Sequence, residues 1–148
     1  EINLVHSHDA MKAADDAAFF KQIAKGVARK HGLAASFMAK PYADRPGNGM
    51  HLHISLLDGK GRNIFDDGSD AGSPLLGHAL AGALDGLADS MLVFAPHQNS
   101  YRRFATESHA PMAACWGYEN RTAALRVPLG SPSQRRIEHR VSGADANP

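Results

Sequence analysis

Apolar positions recur along this chain with two periods, and the switches between them mark out its elements. Residues 1–6 alternate apolar and polar side chains, which predicts a strand. Asp9 then offers a helix N-cap, and Ala13, Ala17, Phe20, Ala24 and Val27 recur at helical spacing until Gly32 follows the basic pair Arg29 and Lys30. An amphipathic helix is predicted there. Residues 33–39 make a second predicted strand, ended by Pro41. In the third, Met50, Leu52, Ile54 and Leu56 alternate with His51, His53 and Ser55, so two imidazoles and a hydroxyl share one face above an apolar one. Asp58-Gly59-Lys60-Gly61 reads as a turn that returns a short strand over 63–65. Ser73 and Pro74 supply the cap and first position of a second helix, with Leu76, Leu80, Ala83, Leu84, Leu87 and Met91 as its buried stripe and Ala95-Pro96 as its stop. Further strands are predicted within 113–118, 122–127 and 136–141.

Strands and helices in this order do not alternate as βαβα, so the fold class predicted is α+β, with helices on one face of a largely antiparallel, curved sheet. With 148 residues, 43% of them hydrophobic, one core is expected, and residues 1–148 are read as a single domain. Lys and Arg number 16 against 15 Asp and Glu, so no net field directs the chain to nucleic acid or an anionic membrane, and any work done by charge is local. Cys115 stands alone, which excludes an internal disulfide framework and a multi-thiolate zinc site and leads to the expectation of a cytoplasmic protein. The longest apolar stretch, 84–94, is interrupted by Asp85, Asp89 and Ser90, so no membrane span is expected. The chain opens directly on a predicted strand and stops at Asn147-Pro148, and it is read as a piece of a longer polypeptide.

Two segments carry chemistry. The strand of His51, His53 and Ser55 follows a Gly-rich turn, Gly47-Asn48-Gly49; a half-buried strand with solvated histidines is the plain reading, and a site on a rigid sheet is the other. In Arg136-Ile137-Glu138-His139-Arg140 the charged residues share one strand face, while Ile137, His139 and Val141 take the opposite one. Such a face serves either as solvated ion pairs worth about 0–1 kcal/mol or as an anion clamp with Glu138 available to a metal. Arg102, Arg103, Arg121 and Arg126 crowd the same third of the chain, although Arg121 and Arg126 have opposite strand parity. His51, His53 and Glu138 also match a two-His, one-carboxylate iron centre, a reading that leaves the arginines unexplained.

Taken in order, the segments resemble the glutamine synthetase family. Glu1-Ile2-Asn3 is similar to the end of its G-Q-x-E-I segment, Phe37-Met38-Ala39-Lys40-Pro41 precedes a G-M-H-x-H-x-S strand, and Asn99-Ser100-Tyr101-Arg102-Arg103 matches N-S-Y-[KR]-R. Ala110-Pro111, Asn120-Arg121, Arg126-Val127-Pro128, Arg136-Ile137-Glu138 and Asn147-Pro148 complete the series. The resemblance implies part of a catalytic domain, without the amino-terminal domain and carboxy-terminal remainder. It implies an enzyme that uses ATP and two divalent cations, Mg²⁺ or Mn²⁺, to phosphorylate the γ-carboxylate of glutamate before an amine attacks the γ-glutamyl phosphate. Carried over by motif, Glu1 ligates one metal, and His51 and Glu138 belong to the second. His53, Ile54, Ser55, Arg126 and Arg136 line the ATP side; Arg121 bridges phosphate and the γ-carboxyl end; Gly47, Arg103, Arg121 and Arg140 hold glutamate; Arg121, Arg126 and His109 act at the reacting groups. A homo-oligomeric ring is implied for the full-length protein, and an isolated piece is expected to be inactive.

Three positions depart from the family pattern. Pro46 replaces the Asn usual before the loop glycine, Ser133 replaces a Lys expected near the nucleotide, and His109 stands where Glu usually precedes Ala-Pro. A carboxylate there attracts ammonium and takes its proton, whereas imidazole accepts a proton without bringing a fixed negative charge. His109, Trp116-Gly117-Tyr118-Glu119-Asn120-Arg121 and Arg136-Ile137-Glu138-His139-Arg140 are most similar to the γ-glutamylpolyamine branch, including γ-glutamylputrescine synthetases. The acceptor expected is therefore a polyamine such as putrescine, with glutamate-ammonia ligation as the alternative and Glu107 as a substitute carboxylate if the loop shifts register.

Overall fold

A four-stranded sheet organises the protein in the order β1-β4-β3-β2, with β1 at Leu52–Ile54, β2 at Trp116–Tyr118, β3 at Leu125–Val127 and β4 at Ile137–His139. The computed structural model describes residues 2–105 and 108–148. β4 runs antiparallel to β1 and to β3, whereas β2 and β3 are parallel. The expected α+β class with a largely antiparallel sheet is what forms, and the parallel pair is its one exception. The β2–β3 connection turns sharply at Glu119, whose φ of 50° lies in the left-handed region, and Asn120 Oδ1 steadies it by accepting from the N–H of Thr122 at 2.9 Å.

The cover of the sheet comes from α2, Pro74–Asp85. Ser73 caps it, accepting from Leu76 N at 3.4 Å and donating to Ile64 O at 2.6 Å. Leu76 and Leu80, 1% and 2% exposed, pack with Phe65, Leu125, Val127 and Ile137. The helix stops at Gly86, not at Ala95 as the stripe predicts, because the glycine and the polar residues Asp89 and Ser90 break it. The stripe nonetheless continues: Leu87 and, from the short helix α3 at Met91–Phe94, Met91 and Phe94 build a second cluster with Ala124 and Val141.

The first helix, α1 at Ala10–Lys30, forms as its pattern predicts, with Asp9 Oδ1 accepting from Met11 N and Lys12 N at 2.9 and 3.1 Å and Gly32 at φ 70° beyond its end. None of its residues is buried, and Phe19, Ile23 and Val27 are exposed. It is tied to the rest by Lys21 Nζ, which donates to Ala146 O at 2.6 Å, and by an edge-to-face contact of Phe20 with Phe37.

Three predicted strands do not form. Residues 2–6 and 33–39 have no ladder, and 63–65 is reduced to a single bridge between Leu57 and Asn63. Alternation marks a residue's faces but supplies no partner. Around Ala39, for example, the carbonyl accepts from Asn48 N at 2.7 Å in a loop contact instead. β1 itself lies at an edge, with Leu52, Ile54 and Leu56 39–44% exposed. Among the described residues, no helix is long and apolar enough to cross a membrane.

Candidate functional site

Register brings the charged residues together. Glu138 on β4 is the partner of His53 on β1 and of Arg126 on β3, so all three project from the face opposite the α2-packed core. Glu138 is 3% exposed and fully engaged. Its Oε1 lies 3.0 Å from His51 Nδ1 and accepts from Arg140 Nη1 at 2.7 Å, while its Oε2 accepts from Arg126 Nη1 at 2.9 Å. The parity read from the sequence is thus realised: Arg140 joins Glu138 on this face, and Ile137, His139 and Val141 enter the core face, where His139 rests on the Phe94 ring at 4.4 Å.

The cluster has a defined charge state. Burial works against ionising Glu138, but Arg140, His51 and Arg126 outweigh it and hold the carboxyl below its ordinary range. Burial, reinforced by Arg140, pushes His51 down, so its ring is neutral. A neutral His51 with a carboxylate 3.0 Å from Nδ1 keeps its proton on that nitrogen, which leaves the Nε2 lone pair to a ligand. Burial likewise opposes the charge on Arg126, but Glu119 and Glu138 more than restore it.

The Gly-rich turn is pinned to the end of β4. Met50 N donates to Ser142 O at 2.9 Å, and Gly49 bridges Gly143. Arg103, 6% exposed, lies behind the turn and donates from Nη1 to Val141 O at 2.6 Å and from Nη2 to Arg140 O at 2.9 Å. A Cβ on Gly47 would sit 2.9 Å from Ala39 O and 3.2 Å from Arg103 Cγ, so glycine is required there by close approach.

The remaining sequence candidates are more dispersed. Arg136 Nε donates to His53 Nδ1 at 3.1 Å, which places the pair beside the cluster. Ile54 is the register partner of Ile137, so its side chain is on the core face and only its backbone borders the His53 face. Ser55 and Ser133 are exposed, as is Pro46. Arg121 and His109 are exposed and make no hydrogen bond or ion pair with a described residue, although Arg121 lies close enough to Glu119 to help lower its carboxyl. Glu1 and Glu107 lie outside the described residues.

Sequence reasoning passed over Glu119, which extends the cluster: its Oε2 accepts from Arg126 Nη2 at 2.6 Å. Parity held the signal, because Gly117 is the register partner of Arg126 and Glu119 follows two residues later on the same face. It also passed over Arg135, whose terminal nitrogens donate to Asp70 O at 2.8 Å and Ser69 O at 2.7 Å and fasten the 66–72 loop from below.

A family model described as "Glutamine synthetase, catalytic domain" matches residues 1–148. The chain belongs to the glutamine synthetase family. It is 47% identical over 148 residues to the γ-glutamylputrescine synthetase PuuA of Escherichia coli, covering all of this chain and 31% of that protein. It is 44% identical over 140 residues to the γ-glutamylethanolamide synthetase GlnA4 of Streptomyces coelicolor, covering 95% and 30%. The solved structure of ligand-free apo GmaS superposes with a TM-score of 0.81 at 36% identity, covering 94% of this chain and 32% of that one. The chain spans about a third of the length of the curated relatives it matches.

Glutamine synthetase-family enzymes generally use ATP and divalent metals. A hard divalent cation takes mainly oxygen ligands with at most a few nitrogens, which suits the donor types of Glu138 and His51. Here, however, Nδ1 of His51 faces Glu138 and both carboxylate oxygens are bound, so sharing one cation requires His51 to turn Nε2 toward Glu138. Among the described residues, no group of three His, Cys, Asp or Glu is placed to hold a metal, so the pair needs further donors.

Proposed function

We propose that this chain is a single domain, 1–148, forming part of the catalytic domain of a longer ATP-dependent ligase that joins the γ-carboxylate of glutamate to an amine. The observation that carries the reading is the Glu138 cluster, in which one buried carboxylate is set among Arg126, Arg140 and a neutral His51 within a chain of this family. Identity of 47% and 44% to a γ-glutamylputrescine synthetase and a γ-glutamylethanolamide synthetase supports an organic amine over ammonium. His109 supports it too.

In this reading His51 and Glu138 would hold one Mg²⁺ or Mn²⁺, with Glu1 on a second, and a bound divalent cation would supply positive charge against the phosphoryl group in transfer. The guanidiniums of Arg126 and Arg136, with His53, Ser55 and the Ile54 backbone, orient the ATP phosphates along the sheet face. Gly47, Arg103 and Arg140 hold glutamate, and Arg121, which has no hydrogen bond or ion pair among the described residues, is available to bridge the phosphate and the γ-carboxylate. A γ-carboxylate oxygen attacks the terminal phosphorus, the bond to ADP breaks, and the acyl phosphate forms. The amine nitrogen then attacks the acyl carbon, inorganic phosphate leaves, and the proton lost by the amine passes to an acceptor such as His109. Bringing these groups together is most of the catalysis, because phosphoryl transfer depends on positioning and charge stabilisation. A homo-oligomeric ring and a cytoplasmic setting complete the proposal, and the 148-residue piece alone is expected to be inactive.

The test is ADP release by the full-length protein with glutamate and putrescine, compared with glutamate and ammonium. Preference for putrescine is expected; equal or better turnover of ammonium makes the enzyme a glutamine synthetase proper, the second reading, which 44% identity over 140 residues to the glutamine synthetase of Pyrococcus abyssi supports.

A further inference from the structure

Glu119 stands at the end of β2 and is bound twice. Its Oε2 accepts from Arg126 Nη2 at 2.6 Å, and its Oε1 accepts the N–H of Leu129. Arg126 spends its other terminal nitrogen on Glu138 Oε2 at 2.9 Å, and its buried Nε has no hydrogen-bond partner among the described residues. The guanidinium is therefore held between two carboxylates that come from different strands. Glu119 reaches this position in a backbone conformation, φ 50°, that side chains other than glycine enter only against steric resistance. Such a conformation persists where the surroundings over-determine it, and the two bonds of the Glu119 carboxylate do so.

A carboxylate beside a phosphate-binding face is not explained by affinity, since its charge opposes an arriving anion. Orientation explains it. With Glu138 as its only acid partner, Arg126 would be free to turn both terminal nitrogens inward and pair with it bidentately, the preferred geometry of a guanidinium and a carboxylate. Glu119 prevents this by taking one nitrogen away from Glu138. We propose that Glu119 is a positioning residue that fixes the Arg126 guanidinium across the sheet face, so that Arg126 is presented to the phosphoryl group and Glu138 keeps its second oxygen for His51 and Arg140.

The proposal rests on the reading of Arg126 as a phosphate-side group, and its test separates the two. In the full-length enzyme, Glu119→Gln loses the charge and replaces one of the two bound oxygens with an amide NH2, which faces a donor at Arg126 or at the Leu129 N–H. The expected result is a fall in kcat of about tenfold with a KM for ATP that is unchanged or lower, because a positioning group acts on the transition state and removing an anion does not weaken ATP binding. Glu119→Asp, which keeps the charge, is expected to recover part of the lost kcat. Tyr118→Phe removes the neighbouring bond to Ala71 O at 2.6 Å and serves as the control for a merely loosened loop; its kcat is expected to match the wild type. Wild-type kcat in Glu119→Gln, with only a lower thermal midpoint, overturns the proposal, and so does a raised KM for ATP at unchanged kcat. If Glu119→Gln does not fold, Glu119→Asp decides: reduced kcat at unchanged KM supports the role, and full kcat overturns it. An active wild type with an unaffected variant removes the positioning role alone, whereas a wild type that releases no ADP with any amine removes the ligase reading and this proposal with it.

Discussion

Glu138 and Arg126 are register partners on adjacent antiparallel strands, and they meet side chain to side chain at 2.9 Å. Arg140, 5% exposed, leans on the same carboxylate. Among the described residues Arg140 thus has Glu138 as its one acid partner, while Arg126 shares Glu138 with Glu119. Glu138→Gln leaves both guanidiniums facing an amide, and breaking a buried pair in this way is expected to lower stability by about 3–5 kcal/mol. Chemical denaturation of the full-length protein measures it, and a shift of the size of an exposed pair, about 0–1 kcal/mol, contradicts the buried network.

Acid should loosen the fold in two stages. His51 and His139 both titrate below the ordinary 6.5, in each case chiefly because of burial, with Arg140 adding to it for His51 and His51 for His139. The unfolded chain therefore takes up protons at a pH where the folded chain does not, and stability falls as pH drops from about 6.5 toward the folded values. Glu138 is shifted below its ordinary 4.5 by Arg140, His51 and Arg126 against the effect of burial, so its contribution is present above that value and disappears as pH falls through the folded one. The thermal midpoint is expected to be level above about pH 7 and to decline from about 6.5 downward. His139→Phe keeps the stacking on Phe94 and removes one titration, so its decline between about pH 6.5 and 5 should be shallower. Parallel curves for the two proteins would contradict the assignment.

Gly47→Ala tests the close approach of the turn. The added methyl meets a backbone carbonyl, which cannot swing aside as a side chain can. A loss of about 1–3 kcal/mol is expected from such overpacking. It should be accompanied by a higher KM for glutamate, read from steady-state kinetics; a variant indistinguishable from wild type would place the turn outside the glutamate pocket.

His109→Glu puts a negative charge where the parent has imidazole. The expected outcome is a change of amine preference: turnover of ammonium rises relative to putrescine, with a swing of about tenfold in the ratio of kcat/KM values. Competition between the two amines in one reaction measures it directly, and an unchanged ratio would show that amine choice lies elsewhere.

The legibility of the sequence differed between periodic and paired features. Helix caps were readable because they are local: Asp9 and Ser73 are bound as N-caps by the amides that follow them. The parity of residues 136–141 was readable for the same reason, and it predicted that Glu138 and Arg140 would share a face. Pairing was not. Alternation in 2–6 and 33–39 suggested strands that have no partner, and nothing local announced that β2 and β3 would run parallel. The resemblance gives Arg103 a place at glutamate, while its bonds under the Gly47 turn come from carbonyls 37 and 38 positions away in sequence, which spacing does not reveal. Glu119 was overlooked because its role depends on that same unforeseen parallel register.

β1 at the margin of the sheet has a practical consequence for handling the protein. Its outer row of backbone amides and carbonyls, beside the exposed side chains of Leu52 and Ile54, is a template onto which a second copy can add by strand pairing. Expressed as these 148 residues alone, the polypeptide is expected to aggregate as its concentration rises, and a lysine in place of Ile54 should keep it in solution.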